Sequence, residues 1–327
     1  MPENDITHSE APRGAIPDVS VVIVSWNVAD LLADCLESLR RNSNGLSLDV
    51  WVVDNASADN TLDVLRERFP WVHVIANREN RGFALANNQA IERATGRFVF
   101  ILNPDTIVTD GALRTLFEYL DTRPEVGMVG PRLRLGDGKT QPECARRLPT
   151  LGRVLWINSL KLHLIPLIGP WCFKRIAAPY DYETSAEVEA ISGAAMLVRR
   201  EVLRDLGGFG EAFIHCGEDI DLCYRVRAAG WQTHYVSECT IVHLKGQSSK
   251  KAPIKTTVNA ALSDQEYFRR CFGGWQSLAY RLIIQCIQGP HAVLIGCFRL
   301  LLGKESPADL QRRFAVLRGL AAWRWVE

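Results

Sequence analysis

Short, wholly apolar runs alternate with amphipathic stretches through the first half of the chain, and this alternation predicts a parallel sheet covered by helices. Residues 19–25, 48–53, 72–76 and 97–102 read as strands buried on both faces. Between the first two, Leu31, Leu32, Cys35, Leu36 and Leu39 recur with helical period behind Asp30. Residues 83–94 and 110–121 supply two further helices. From about 126 to 185 the pattern breaks into short strands with Pro and Gly, including an irregular apolar stretch at 154–173. Order returns with a strand at 190–198, a helix at 200–206, a Gly207-Gly208-Phe209-Gly210 turn, a helix at 218–229, and strands near 232–236 and 240–244. A basic loop follows Gly246, then helical segments to the end.

The 327 residues, 47% hydrophobic and 23% charged, suffice for one large folded domain with an appendage. A net charge of +1 gives no overall basic field for nucleic acid. The 9 cysteines are scattered and never spaced Cys-x-x-Cys, which suits reduced thiols in a cytoplasmic protein. Residues 1–18 are polar and lack the apolar core of a signal peptide, so they read as a disordered leader. No Gly-x-Gly-x-x-Gly follows the first strand and no P-loop occurs, so a nucleotide would be held by other means.

The chemistry gathers where strands end, which is where open α/β sheets place ligands. The run 98–102 is stopped by Pro104 and delivers Asp105 to the strand's carboxyl end. A lone carboxylate there suits Mg²⁺ or Mn²⁺ otherwise held by waters and a diphosphate, or simply a turn opening the next helix. Asp54 ends the second strand, where it could accept from a base N–H or a ribose hydroxyl. It could equally cap the following helix, as could Asp59. In the helix from Glu218, Asp219 shares a stripe with Leu222, Cys223, Val226 and Gly230, whereas Glu218 and Asp221 align with Arg225. That stripe makes Asp219 the better candidate to face a cleft, the alternative being simple acidic enrichment in a first helical turn.

Five segments agree in order: Val24-Ser25-Trp26-Asn27, Asp54-Asn55-Ala56-Ser57, Asn77 through Ala84, Asn103-Pro104-Asp105, and Gly208-Phe209 through Gly217-Glu218-Asp219-Ile220-Asp221-Leu222, with His243 beyond. With these, residues 19–250 resemble the inverting glycosyltransferases of family 2, and bacterial rhamnosyltransferases in particular. The resemblance implies a GT-A fold, α/β with a mainly parallel central sheet flanked by helices, and leaves 251–327 as a C-terminal helical extension. It implies a donor site at Ser25, Asn27, Asp54, Arg81, Gly82, Asn103 and Asp105, a divalent metal (Mg²⁺ or Mn²⁺) on Asp105 and His243, and Asp219 as the catalytic base. Asn103 departs from the family's Asp-x-Asp form and removes one carboxylate from the metal. Phe209, Phe213, His215 and Glu218 are the acceptor-side candidates. The implied reaction moves a sugar from a nucleoside diphosphate donor, dTDP-rhamnose by resemblance with UDP-hexoses or galactofuranose open, to a glycan or lipid-linked acceptor in cell-surface polysaccharide synthesis. A nucleotidyltransferase or a non-catalytic sugar-nucleotide or glycan-binding module are the alternatives. The first lacks its Gly-rich basic loop, and the second has no need of both Asp105 and Asp219.

Residues 275–302 are apolar, carry Arg281 and Arg299, and are interrupted by Gly289-Pro290. They read as a cationic hairpin lying on the cytoplasmic face of the inner membrane. A helical pair packed on the catalytic domain, or forming a homodimer interface, satisfies the same pattern.

Overall fold

The computed structural model describes residues 16–155, 180–213, 216–244 and 253–322. Two compact units emerge: Met1–Arg146, Tyr180–Ile214 and Glu218–Lys245 form the first, and Arg147–Pro179, His215–Gly217 and Gly246–Glu327 the second. The leader expected over 1–18 lies outside the described residues except for its last three. His215 and the basic loop with Lys245, Lys250 and Lys251 also lie outside them.

The first unit is built on a nine-stranded sheet, among the described residues, in the order β3-β2-β1-β4-β8-β6-β9-β5, with β7 (Ala186–Glu187) beside β9. The strands are β1 Val19–Ser25, β2 Leu48–Asp54, β3 His73–Ala76, β4 Phe98–Leu102, β5 Thr106–Val108, β6 Val126–Arg134, β8 Ala195–Arg199 and β9 Gln232–His243. The α/β class stands, but the sheet is mixed. The β1–β2, β1–β4, β2–β3 and β6–β9 pairs are parallel, while β8 runs antiparallel to β4 and β6, and β5 and β7 run antiparallel to β9. β1 and β4 are buried along their whole length, as their unbroken apolar runs require. The strands read at 232–236 and 240–244 are one: its register with β6 jumps from Pro131–Val236 to Arg132–Thr240, so residues 237–239 bulge out and break the apolar alternation.

Helices α1 (Ala29–Arg41), α2 (Thr61–Arg68), α3 (Gly82–Ile91), α4 (Ala112–Asp121), α5 (Arg200–Leu206) and α6 (Glu218–Ala228) complete this unit. α2 has no counterpart in the periodicity, because eight residues with few apolar positions give no stripe. It starts where Asp59 accepts from Thr61 N–H at 3.1 Å, and the same carboxylate accepts from Ala29 N–H at 3.1 Å. Asp59 therefore satisfies the open N-termini of two helices.

The second unit contains α7 (Pro253–Phe272), α8 (Gly274–Ile283), α9 (Gly289–Leu301) and α10 (Pro307–Ala322). The break expected at Gly289-Pro290 does not occur. A π-turn over Ile284–Gln288 joins α8 to α9 in one helix, Gly274–Leu301. The wider turn accommodates Pro290, which has no N–H and would crowd the carbonyl four residues back in a regular α-helix.

Candidate active site

The parallel strands place their polar ends level. Ser25 stands opposite Asp54 and Asp54 opposite Ala76, while Leu102 pairs with Ile23 just before Asn103. Along this edge the Ser25 hydroxyl, one Asp54 oxygen (Oδ1) and the Asn103 side-chain oxygen are buried with no hydrogen-bond partner. Buried polar atoms are nearly always paired, so three orphans at adjoining strand ends mark the place where a polar ligand completes the set. Asp54 Oδ2 accepts from Ser57 N–H at 3.2 Å, and helix capping belongs to Asp59, which leaves Asp54 Oδ1 for a ligand. Asn27 adopts the left-handed region (φ 56°) and bridges to the next loop, donating its N–H to Ser57 Oγ and accepting from Ala58 N–H at 2.6 Å.

Asn55 holds the Arg81-Gly82 loop. It is 2% exposed; its amide donates to Asn80 Oδ1 and to Gly82 O, and its Oδ1 accepts from Arg81 N–H and from Asn77. The loop is thereby fixed at its backbone, leaving the Arg81 side chain exposed and Gly82 at φ 78°. Periodicity cannot find Asn55, although it lies inside a segment that the sequence already marks.

Asp105 and His243 meet as predicted. Antiparallel pairing of Thr106 with His243 brings His243 Nε2 to 3.2 Å from Asp105 Oδ1. On its other side the ring contacts Gln141 Oε1 at 2.8 Å. A carboxylate oxygen and an imidazole nitrogen side by side are the donor types that a divalent cation takes. Among the described residues no three His, Cys, Asp or Glu side chains cluster as a metal site. Two such side chains would suit an ion whose remaining positions are filled by water and phosphate oxygens.

Asp219 lies in the first turn of α6, 16% exposed, with its Oδ2 bound by Arg146 Nη2 at 2.5 Å and by Gly193 N–H at 3.0 Å. Its Oδ1 accepts from Ile220 N–H at 2.8 Å. A Cβ on Gly193 would stand 3.1 Å from Asp219 Cβ, so glycine permits this approach. The next residue, Ala194, accepts from Asn103 N–H at 2.9 Å. Two consecutive residues leading into β8 therefore hold the Asn103–Asp105 turn and Asp219 together. Neither Arg146 nor Gly193 carries a signal in the sequence, because both lie where the pattern is broken and act through tertiary contacts.

The neighbours of Asp219 differ from the helical stripe. Asp221 does pair with Arg225, at 2.7 Å, but the pair is inside the protein: Asp221 is 1% exposed, and Arg225 also donates to Leu206 O and Gly208 O, bracing the Gly-Gly turn. Glu218 lies by Asp219 instead. Burial, then the negative charge of Asp219, pushes the Glu218 carboxyl up to about 8, so it holds a proton at neutral pH. Phe209 is 2% exposed and packs edge-on against Phe83, and Phe213 is 3% exposed; both belong to the core, not to an acceptor surface. A cavity of about 770 Å³ in this unit lies at the opposite ends of β1 and β4, beside Asp18, Arg97 and Arg204; it touches the Gly207-Gly208 turn but none of Ser25, Asp54, Asp105, Asp219 and His243.

Residues 17–259 match the family model described as "Glycosyltransferase like family 2". An N-acetylglucosaminyl-diphospho-decaprenol L-rhamnosyltransferase of Mycobacterium tuberculosis is 29% identical over 249 residues, 71% of this chain and 78% of that protein. Among solved structures, a mannosyltransferase of Pyrobaculum calidifontis in complex with GDP-Man and Mn²⁺ aligns over 98% of this chain and 90% of its own, with 18% identity and a TM-score of 0.59. GalNAc-T7 with UDP, GalNAc and Mn²⁺ aligns over 71% of this chain and 44% of its own, with 16% identity and a TM-score of 0.54.

Proposed function

The chain belongs to glycosyltransferase family 2, and from that premise we propose that it moves a sugar from a nucleoside diphosphate donor to an acceptor hydroxyl by direct, inverting displacement. The observation that carries this reading is the joining of two half-sites by Gly193 and Ala194: the Asn103–Asp105 turn with its orphaned oxygen, and the Asp219 carboxylate. A nucleotidyltransferase and a non-catalytic binding module, both compatible with the strand-end carboxylates alone, are set aside by the family match.

In this reading the Ser25 hydroxyl donates to the nucleoside and the Asp54 carboxylate accepts from it, and the Arg81-Gly82 loop, set by Asn55, lies along it. Asp105 and His243 would hold a divalent ion, Mg²⁺ or Mn²⁺, which when bound supplies positive charge against the leaving diphosphate. Asp219 takes the acceptor proton on Oδ1 while Arg146 and the Gly193 N–H keep Oδ2 fixed, so the carboxylate need not reorient as the bond forms. Glu218, protonated at neutral pH, can donate to an acceptor oxygen without adding a second negative charge beside the base. The relative's name supports L-rhamnose as the transferred sugar and a diphospholipid-linked sugar as the acceptor; dTDP as the nucleotide rests on the sequence resemblance alone.

Titration calorimetry with dTDP-rhamnose and UDP-hexoses, with Mg²⁺, with Mn²⁺ and after chelation, tests the reading. Binding of one nucleotide sugar should require the ion. Asp105→Ala should weaken that binding roughly tenfold or more without shifting the melting temperature. No binding to any nucleotide sugar, or unchanged metal-dependent affinity in the variant, would contradict it.

A further inference from the structure

The second unit carries an apolar stripe that the transferase reading does not use. Along the helix Gly274–Leu301, Trp275, Leu278, Leu282, Leu294, Phe298 and Leu301 are 76, 46, 48, 66, 62 and 85% exposed. They recur every three or four residues on either side of the π-turn. The opposite face is packed: Tyr280, Ile284 and Val293 are buried, and α8 and α9 lie against α7 and α10. Gly289 and Gly296 permit close approach there, since an added Cβ would stand 2.7 Å from Leu317 and 2.5 Å from Arg313. The packed face steps from Ile284 to Gly289, five residues instead of four, so the π-turn absorbs one residue and keeps both faces in line.

We propose that this stripe docks on an anionic lipid surface, with the helix lying in the plane of the interface. Length and hydropathy alone would let the helix span a bilayer. Its packed face argues against that, because α10 is bound there through Gln285 to Leu320 O and Arg313 to Ala292 O, and would take Arg312, Arg313 and Arg318 into hydrocarbon. A core helix is excluded as well, since only 22% of its most apolar window is buried. Charge selects the occupant. Between Glu266 and Glu305 the sequence holds no acidic residue, while exposed Arg299 and Lys304 flank the most exposed end of the stripe. An apolar face on a helix whose only charged residues, Arg281 and Arg299, are cationic matches the boundary of an anionic bilayer.

The inference is independent of the transferase reading. Flotation with phosphatidylcholine vesicles, with and without phosphatidylglycerol, tests it on the full chain. Wild type should float with the anionic vesicles and release as salt rises. Changing Leu294, Phe298 and Leu301 together to Gln should reduce flotation roughly tenfold or more while leaving the melting temperature unchanged, since all three side chains are exposed. Wild type that stays at the bottom at low salt, or a variant that floats as well as wild type, would overturn the proposal. So would a wild-type dimer that the substitutions split, with neither form binding vesicles, because a second copy would then be what covers the stripe.

Discussion

Glu218 and Asp219 are adjacent carboxyls given different work by their surroundings. Asp219 has Arg146 and two backbone N–H groups, whereas Glu218 has burial and the charge of its neighbour. The consequence for stability has a definite sign. An unfolded chain releases the Glu218 proton near 4.5, while the folded chain keeps it to about 8. Between these values the folded state binds the extra proton, so its stability falls as pH rises through the window. Glu218→Gln removes the loss. The variant should therefore gain on wild type from about pH 5 to about pH 8, read as the difference between melting temperatures measured across that range. A difference that stays constant would show that Glu218 is not held protonated.

At the scale of elements, a buried amide on a neighbouring helix holds the Gly-Gly turn that precedes α6. Asn88, in α3, donates to Phe209 O at 3.0 Å and accepts from Phe209 N–H at 2.8 Å, satisfying both backbone groups of the residue after the Gly-Gly turn. A Cβ at Gly208 would come within 2.4 Å of that amide oxygen, so the glycine is required by the approach as well as by its φ of 71°. Asn88→Ala would strand both groups of Phe209 and should cost about 1–3 kcal/mol in denaturant unfolding; a cost under about 0.5 kcal/mol would show that the grip contributes little. Elements were legible where one signal dominated. β1 and β4 announce themselves because burial on both faces demands an unbroken apolar run. β6 is hidden by Gly127, Gly130 and Pro131, and Gly289-Pro290 looks like a helix break because a π-turn leaves no mark in composition.

For the molecule as a whole, the site is an assembly of chain segments distant in sequence, and this sets what can be read in advance. The strand-end placement of Ser25, Asp54, Asn103 and Asp105 was legible, because the first two end buried runs and the other two lie in the Asn103-Pro104-Asp105 turn that stops one. The pairing of Asp105 with His243 required the resemblance, since nothing local joins residues 138 positions apart (243 minus 105). Arg146, Gln141 and Gly193 were invisible, because their roles exist only once β6, β8 and β9 are side by side. The central claim is that Asp219 is the base that deprotonates the acceptor hydroxyl as it attacks a donor held elsewhere in the same unit. Asp219→Asn keeps the shape and the contact with Gly193 N–H but removes the proton acceptor. Donor affinity by calorimetry should therefore stay near the wild-type value, while transfer at saturating donor and acceptor should fall by roughly 10²–10⁴. Transfer within a few-fold of wild type in that variant would contradict the account.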